Sequence, residues 1–385
     1  MQRWQEKLEE YVLGLIEGRI TGRRAAAGRG ALRALSWLYG GAVQLRLALY
    51  RAGLIRPNDL GCQVISIGNM TVGGTGKTPV VEVFARALEQ AGRRVAILSR
   101  GYRSVKPPVH DRLAQKLNLR EGSPPRVVSD GRRLLLDSAM SGDEPYMLAS
   151  NLPEVTVLVD KDRVKSGKYA IRRQGCDTLI LDDGFQYLSL RHRLDIVLVD
   201  ARQPFGYERM LPRGLLREPM RNIKRAGFIF ITKCGPGGAP ELRRKLRELN
   251  PHAEISECCH RSKYVQDVFR QERYGLEWLR GRRVAALSAI AVPESFESEL
   301  SRLGAELVHT GRRADHHRYS QQEVIEFVNR SIAAGAEAIL TTEKDAVRMP
   351  FLERRDVPIL FLRVEIEMLS GDDAFRDWIR RICFE

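Results

Sequence analysis

The sequence predicts an α/β fold: a parallel sheet with helices on both faces, followed by a smaller C-terminal α/β domain. Three observations lead there. Short apolar runs that read as buried strands alternate with helical runs from Gln63 to about Asn250. Within that stretch, QVISI at 63–67 is followed by GNMTVGGTGKT at 68–78 and then a helical run from Val80 to Gln90, giving strand, glycine loop and helix in that order. A second alternation starts at Arg283 with VAALSAI and includes Ala338-Ile339-Leu340 and Pro358 to Leu362. The 385 residues are more than one hydrophobic core usually serves, which agrees with two domains.

The strand at 63–67 and its loop carry the first chemical signal. Backbone N–H groups of a glycine-rich turn at a helix N-terminus cradle phosphates, because they point at the anion and the helix dipole favours its charge. In this pattern Gly73, Gly74, Thr75, Gly76, Lys77 and Thr78 bind nucleotide, with Lys77 reaching the β- and γ-phosphates and the Thr78 hydroxyl on Mg²⁺. The strict P-loop pattern has glycine where this chain has Thr71, yet the remaining glycines allow the turn. Some dimeric ATPases carry an extra lysine just before the paired glycines; Val72 stands there, which speaks against that class.

DTLILDD at 177–183 reads as a strand ending in two carboxylates, the place where Asp182 and Asp183 would hold the metal beside the loop. A second such strand, DIVLVD at 195–200, ends in Asp200, read as structural. Gly142-Asp143-Glu144-Pro145 precedes a short helix at 146–150. Asp143 is placed to accept a proton from an attacking alcohol, but the same residues equally read as a helix cap with proline in the first turn.

Net charge is +15, so the partner expected is negative: nucleic acid, anionic lipid or a phosphorylated substrate. The segment from Leu32 to Ile55 is apolar, but Arg33, Arg46 and Arg51 with Gly40 and Gly41 exclude a bilayer-spanning helix of roughly 20 apolar residues. Leu35, Leu38, Ala42, Leu45 and Leu49 recur at helical spacing as one apolar stripe, and Trp37, Tyr39, Tyr50 and the basic stretch Arg19 to Arg29 suit a membrane interface with anionic headgroups. Packing of the stripe on the protein's own core is the plainer alternative. A further amphipathic stretch runs from Trp4 to Ile16. The six cysteines (Cys62, Cys176, Cys234, Cys258, Cys259, Cys383) have no metal-site or disulfide spacing, and with no secretory signal they read as reduced thiols.

Taken together, LSWLYG (35–40), GNMTVGGTGKTP (68–79), LSRGY (98–102), GDEP (142–145), LDDGFQ (181–186), LDIVLVDA (194–201), LLREP (215–219), DHHRY (315–319) and TTEKDAVR (341–348) resemble the tetraacyldisaccharide 4'-kinase family of lipid A biosynthesis, in order over nearly the whole chain. The resemblance implies transfer of the γ-phosphate of ATP, with Mg²⁺, to the 4' hydroxyl of an acylated glucosamine disaccharide 1-phosphate by a peripheral protein at the cytoplasmic face of the bacterial inner membrane. It also makes Asp143 the general base and His316 its partner, with Lys77 at the phosphates. Without the motif, His317 competes with His316. The chain departs from the family at Ala289-Ile290-Ala291-Val292-Pro293, where a glycine-containing turn is usual, and at Tyr187, where a basic stretch usually starts with histidine.

The organisation expected is an N-terminal helical, membrane-interface arm at 1–56, a P-loop kinase domain at 57–253, a linker at 254–275 and a smaller domain at 276–385 that closes over the active site. On that plan Asp143 and His316 come from different domains and meet on closure. The chain is read as a monomer that binds no nucleic acid. The rival readings are a P-loop ATPase acting on another anionic substrate such as nucleic acid, and a non-enzymatic nucleotide switch.

Overall fold

The computed structural model describes residues 11–101, 124–353 and 356–384. Residues 4–10 of the amphipathic stretch from Trp4 to Ile16, and Tyr102 of the LSRGY motif, lie outside them. Mixed α/β architecture is present, with mostly parallel strands and two compact units: Met1–Arg100, Asp160–Cys259 and Met368–Glu385 form one, and Gly101–Val159 with His260–Glu367 form the other.

In chain order the elements are α1 (Arg23–Arg51), β1 (Gln63–Asn69), α2 (Lys77–Gln90), β2 (Val95–Ser99), β3 (Arg126–Asp130), α3 (Ser138–Ser141), α4 (Asp143–Asn151), β4 (Thr156–Val159), α5 (Arg163–Gln174), β5 (Thr178–Asp182), β6 (Leu194–Asp200), β7 (Phe228–Thr232), α6 (Pro240–Leu249), β8 (Glu254–Asp267), β9 (Arg273–Gly275), β10 (Arg283–Ser288), α7 (Pro293–Arg302), β11 (Glu306–Arg312), α8 (Gln321–Ala333), β12 (Ala338–Thr342), α9 (Glu343–Ala346), β13 (Ile359–Ser370) and α10 (Asp372–Phe384), besides short 3₁₀ turns.

The first unit holds a parallel sheet in the order β7-β6-β1-β5-β2, with the start of β8 parallel to β7. Every residue of β5 and β7 is buried, as helices on both faces of a parallel sheet require. Register brings the carboxyl ends of four strands level: Ile67 pairs with Asp182, Asn69 with Leu198, and Asp200 with Thr232. Ligands of such sheets bind beyond those ends. Helix α2 packs Val80, Val81, Phe84, Ala85 and Leu88 inward. Phe84 meets Phe375 of α10 edge-on, with ring centroids 4.8 Å apart, and Phe230 at 5.7 Å, so the C-terminal helix closes the same core as the phosphate loop.

Helix α1 is longer than the predicted apolar segment. One face docks through Leu47, which is 4% exposed, and through the Ser36 hydroxyl, which donates to the Met210 carbonyl at 2.9 Å. Its apolar stripe points outward: Leu35, Trp37, Leu38 and Leu45 are exposed, Trp37 by 74% and Leu38 by 72%. The stripe is therefore not spent on the protein's own core.

The second unit holds the parallel order β11-β10-β12-β13, covered by α7 and α8, and two antiparallel pairs, β3 with β4 and the end of β8 with β9. Helix α8 starts at a capping box in which Ser320 and Glu323 satisfy each other's backbone N–H groups.

These units differ from the expected domains in two respects. Residues 254–267 form a 14-residue strand where a linker was expected. Residues 124–159 group with the C-terminal half, because α4 packs on α9 as well as on β3 and β4. Asp143 and His316 consequently belong to one unit, and no movement between units is needed to bring them together.

Phe375→Ala removes the ring that joins α10 to α2, and deletions of this kind in a core cost about 3 kcal/mol or more. The expected result is a lowered urea midpoint with early proteolysis at α10; an unchanged midpoint contradicts this account of how α10 is held.

Candidate active site

The loop after β1 folds back on the 215–217 segment: Val72 N–H donates to Leu215 O at 2.8 Å and Arg217 N–H to Met70 O at 2.7 Å. That pairing explains how Thr71 replaces glycine, since it sits in a short antiparallel bridge with Leu216 that any side chain can adopt. Gly73 at φ 120° and Gly76 at φ 79° take the conformations that do require glycine. A Cβ added at Gly73 or Gly74 would meet nothing within 4 Å, so this stretch of backbone faces open space, as a loop that receives phosphates must. Thr75 Oγ1 is buried without a hydrogen-bond partner, an orphan that a phosphate oxygen would satisfy.

Lys77 opens α2 and lies 3.2 Å from Asn69 Oδ1 and 3.4 Å from Asp183 Oδ1. Thr78 is beside it and 6% exposed. Asp182, the last residue of β5, accepts from the Ser99 hydroxyl at 2.9 Å. Asp183 follows in the left-handed region at φ 55° and takes Arg217 Nη1 at 2.8 Å on both carboxylate oxygens. Burial pushes the Asp183 carboxyl up, but Lys77 and Arg217 outweigh it and hold the group below its ordinary value.

From β7 two side chains reach the loop's carbonyls: Thr232 Oγ1 donates to Thr75 O at 2.8 Å, and the Lys233 ammonium donates to Gly74 O while paired with Asp200. With these carbonyls held from behind, the loop's N–H groups are left for the ligand. Asp200, expected to be structural, thus braces the loop through Lys233. Lys233 is another non-glycine residue at positive φ, 57°.

A second polar centre lies in the other unit, at the carboxyl ends of its parallel strands. Gly142 at φ 92° is the N-cap of α4, so Asp143 is the first helical residue and is not the cap. Its side chain turns to three partners: His316 Nδ1 lies 3.1 Å from Oδ2, Arg348 Nε donates to Oδ2 at 2.9 Å, and Arg318 Nη2 donates to Oδ1 at 3.2 Å. Burial raises the Asp143 carboxyl, whereas the His316 hydrogen bond and the charges of Arg348 and Arg318 lower it by more, and it sits below its ordinary value. His316 is held at φ 65°, its N–H bonded to Ala289 O at 3.2 Å. His317 points elsewhere, 3.0 Å from Glu323 Oε1 and edge-on to Tyr319, which resolves the competition between the two histidines for contact with Asp143.

Ala289 occupies the turn in which the chain departs from the family: its N–H donates to Asp345 Oδ2 at 3.1 Å and its carbonyl accepts from Arg348 Nη1 at 3.3 Å. Tyr187, at the other departure, stacks under Arg163 with 4.8 Å from guanidinium to ring centroid, and its hydroxyl accepts from the Arg163 N–H at 3.0 Å. In the TTEKDAVR motif, Glu343 accepts from Asn151 at 2.6 Å and from Arg363 at 2.7 Å, and Lys344 pairs with Glu144 at 3.0 Å.

The structure brings Gly73, Gly74, Thr75, Gly76, Lys77, Thr78, Asp182 and Asp183 to one sheet end, and Asp143 with His316 to another. Sequence reasoning missed Arg217, Lys233 and Arg348. The first and last stand inside quoted motifs, LLREP and TTEKDAVR, which was a usable signal; Lys233 follows a buried strand and carried none. Among the described residues no cluster of three or more His, Cys, Asp or Glu has the arrangement of a metal site.

The chain is similar to known proteins along most of its length. A sequence profile described as Tetraacyldisaccharide-1-P 4'-kinase matches residues 29–383. A curated tetraacyldisaccharide 4'-kinase of Anaeromyxobacter sp. (strain Fw109-5) is 38% identical over 368 residues, covering 94% of each chain. One from Halothermothrix orenii is 35% identical over 359 residues, covering 89% of each. Among solved structures, the "apo" form of LpxK from Aquifex aeolicus in complex with ATP superposes with a TM-score of 0.72 at 27% identity, covering 92% of this chain and 99% of that one. With the profile spanning most of the chain and relatives this similar over most of their length, the chain belongs to the tetraacyldisaccharide-1-P 4'-kinase family.

Proposed function

We propose that the chain transfers the γ-phosphate of ATP to the 4' hydroxyl of a tetraacyldisaccharide 1-phosphate, with Asp143 as the base that takes the hydroxyl proton. The observation that carries the reading is the contact of Asp143 Oδ2 with His316 Nδ1 at 3.1 Å, in a chain of this kinase family that also has a phosphate-binding loop. A nucleotide switch or a plain ATPase has no use for that half-buried pair.

The loop would hold the triphosphate through its N–H groups and Lys77. The oxygen donors beside it, the Thr78 hydroxyl and the carboxylates of Asp182 and Asp183, suit a hard cation, and two carboxylates with substrate phosphates are the usual setting for Mg²⁺. Bound there, Mg²⁺ would supply charge neutralisation for the β- and γ-phosphate oxygens. Phosphoryl transfer runs through a loose transition state, so the alcohol proton leaves late and a carboxylate of low proton affinity is an adequate acceptor. His316 would steady that carboxylate and share the proton.

We place the reaction at a membrane surface, with the chain bound peripherally at the cytoplasmic face of the inner membrane. Support comes from the outward stripe of α1 and from the arginines around it. Burial first, and then the nearby guanidiniums of Arg209, Arg29 and Arg33, push Arg213 below its ordinary value, so four cations are gathered where anionic headgroups would relieve their repulsion. Among the described residues no helix is long and apolar enough to cross a membrane. On this reading the basic excess meets lipid and the substrate's own phosphate, nucleic acid has no part, and the working unit is the monomer.

Two outcomes follow. Asp143→Asn keeps the shape of the side chain and should lower kcat on the order of 10²- to 10⁴-fold in a transfer assay with ATP and the acylated disaccharide, while ATP binding measured by calorimetry is retained; transfer at the normal rate removes Asp143 from the chemistry. A Leu35→Glu, Leu38→Glu double variant should weaken sedimentation with anionic phospholipid vesicles on the order of 10²-fold, since each leucine contributes about 1.5–3 kcal/mol when buried. Unchanged vesicle binding contradicts the membrane role of α1.

A further inference from the structure

Arg348 is the most deeply buried cation in the second centre, and the reaction as described above does not use it. Its side chain has 0% exposure, against 10% for Asp143 and 20% for His316. A buried guanidinium must be compensated and fully bonded. Here Nη1 is anchored on Asp345 Oδ1 at 3.1 Å and Ala289 O at 3.3 Å, Nε donates to Asp143 Oδ2 at 2.9 Å, and Nη2 lies 3.1 Å from His316 Nδ1. Asp345 is itself fixed, with 0% exposure, by the Ala289 N–H and by the Thr342 hydroxyl at 2.6 Å.

The contacts at His316 Nδ1 have a definite logic. A guanidinium can only donate and a carboxylate can only accept. When Nδ1 carries a proton it donates to Asp143 Oδ2; when it does not, it accepts from Arg348 Nη2. One ring nitrogen thus has a partner in either form, because the fork of Arg348 spans the carboxylate oxygen and the imidazole nitrogen together.

We propose that Arg348 is the positioning residue of the Asp143–His316 pair, holding the carboxylate charged and aimed and giving His316 a donor whenever its Nδ1 is bare. The inference rests on the reading of Asp143 as base. In the transfer step the acceptor O–H bond breaks, its electron pair forms the new P–O bond as the bond to ADP breaks, and the proton goes to Asp143. That proton can then cross the 3.1 Å from Oδ2 to Nδ1, breaking O–H and forming N–H, as Nη2 gives up its hold on Nδ1 and Nε keeps its hold on Asp143. In both states His316 Nδ1 keeps a partner, and Arg348 keeps its hold on Asp143 through Nε and on Asp345 and Ala289 through Nη1. Lysine cannot replace this fork, because it offers a point charge without the paired planar donors.

The charged and titratable groups around Asp143 are His316 and Arg318, with Asp315 and His317 next to them on the same segment, Glu144 on α4, and Lys344, Asp345 and Arg348 in or just after α9. Of these, Arg348, Arg318 and His316 act to lower the Asp143 proton affinity against its burial. Removal of Arg348 therefore raises it, and because the base works only when deprotonated, the acid limb of kcat/KM moves to higher pH.

The test compares pH profiles of transfer, from ATP to the acylated disaccharide 1-phosphate, for wild type, Arg348→Lys and an Arg348→Met, Asp345→Asn double variant. The double variant avoids stranding a buried carboxylate, and Arg348→Lys preserves the charge should the double variant fail to fold. In the double variant the acid limb is expected to rise by about 1–3 pH units, the effect of one nearby opposite charge. In Arg348→Lys the limb should stay with wild type while kcat falls on the order of 10²-fold from lost alignment. A uniform loss across pH in the double variant, or full kcat in Arg348→Lys, overturns the proposal and leaves Arg348 a structural ion pair. Asp143→Asn, run in parallel, separates the cases: if it still transfers phosphate, the failure lies with the base assignment and not with Arg348.

Discussion

A carboxylate withdrawn from water must be met by cations and N–H donors, and each polar centre of this chain is organised around one that is met by arginine. Arg217 and Lys77 compensate Asp183 beside the phosphate loop, and Arg348 and Arg318 compensate Asp143 beside His316. In both cases these partners, with the His316 hydrogen bond at Asp143, overcome burial and hold the carboxyl below its ordinary value. Much of the surrounding structure serves to deliver those cations: the 215–217 segment is laced to the loop by backbone hydrogen bonds, and Arg348 is anchored by Asp345 and Ala289.

The same constraint separates the two roles. The carboxylates next to the loop are engaged, Asp182 by Ser99 and Asp183 by Lys77 and Arg217, and neither is left with the imidazole that accompanies Asp143. A triphosphate gripped there has charge stabilisation but no carboxylate–imidazole base of its own. On the proposed reading, the carboxylate–imidazole pair of Asp143 and His316 would serve the acceptor alcohol. Of the described non-glycine residues at positive φ, Asp183, Lys233 and His316 lie at the two polar centres, while Tyr207, Glu208 and Gln271 lie elsewhere.

Local pattern disclosed much of this. The α/β alternation, the loop from Gly68 to Thr78 and the aspartates after an apolar strand each rest on a few consecutive residues, and the motifs pointed to Asp143 and His316. Long-range organisation was not local. The polar residues of ECCHRSKYVQD hid a 14-residue strand, because β8 buries one face and leaves charged groups on the other for part of its length. The grouping of residues 124–159 with the C-terminal half depends on the packing of α4 on α9, about 200 positions apart in the chain, which no periodicity reports. Arg348 and Lys233 were missed for a similar reason, since an arginine or lysine announces itself as a site residue only when its burial and partners are known.

A kinase of this design releases the phosphoryl group to an alcohol and not to water. ³¹P NMR of ATP with the protein and Mg²⁺, with and without the acylated disaccharide 1-phosphate, measures this directly. Negligible inorganic phosphate without the acceptor, and a new sugar phosphomonoester matching ADP one for one with it, is the predicted result. Equally fast release of inorganic phosphate in both samples would contradict it.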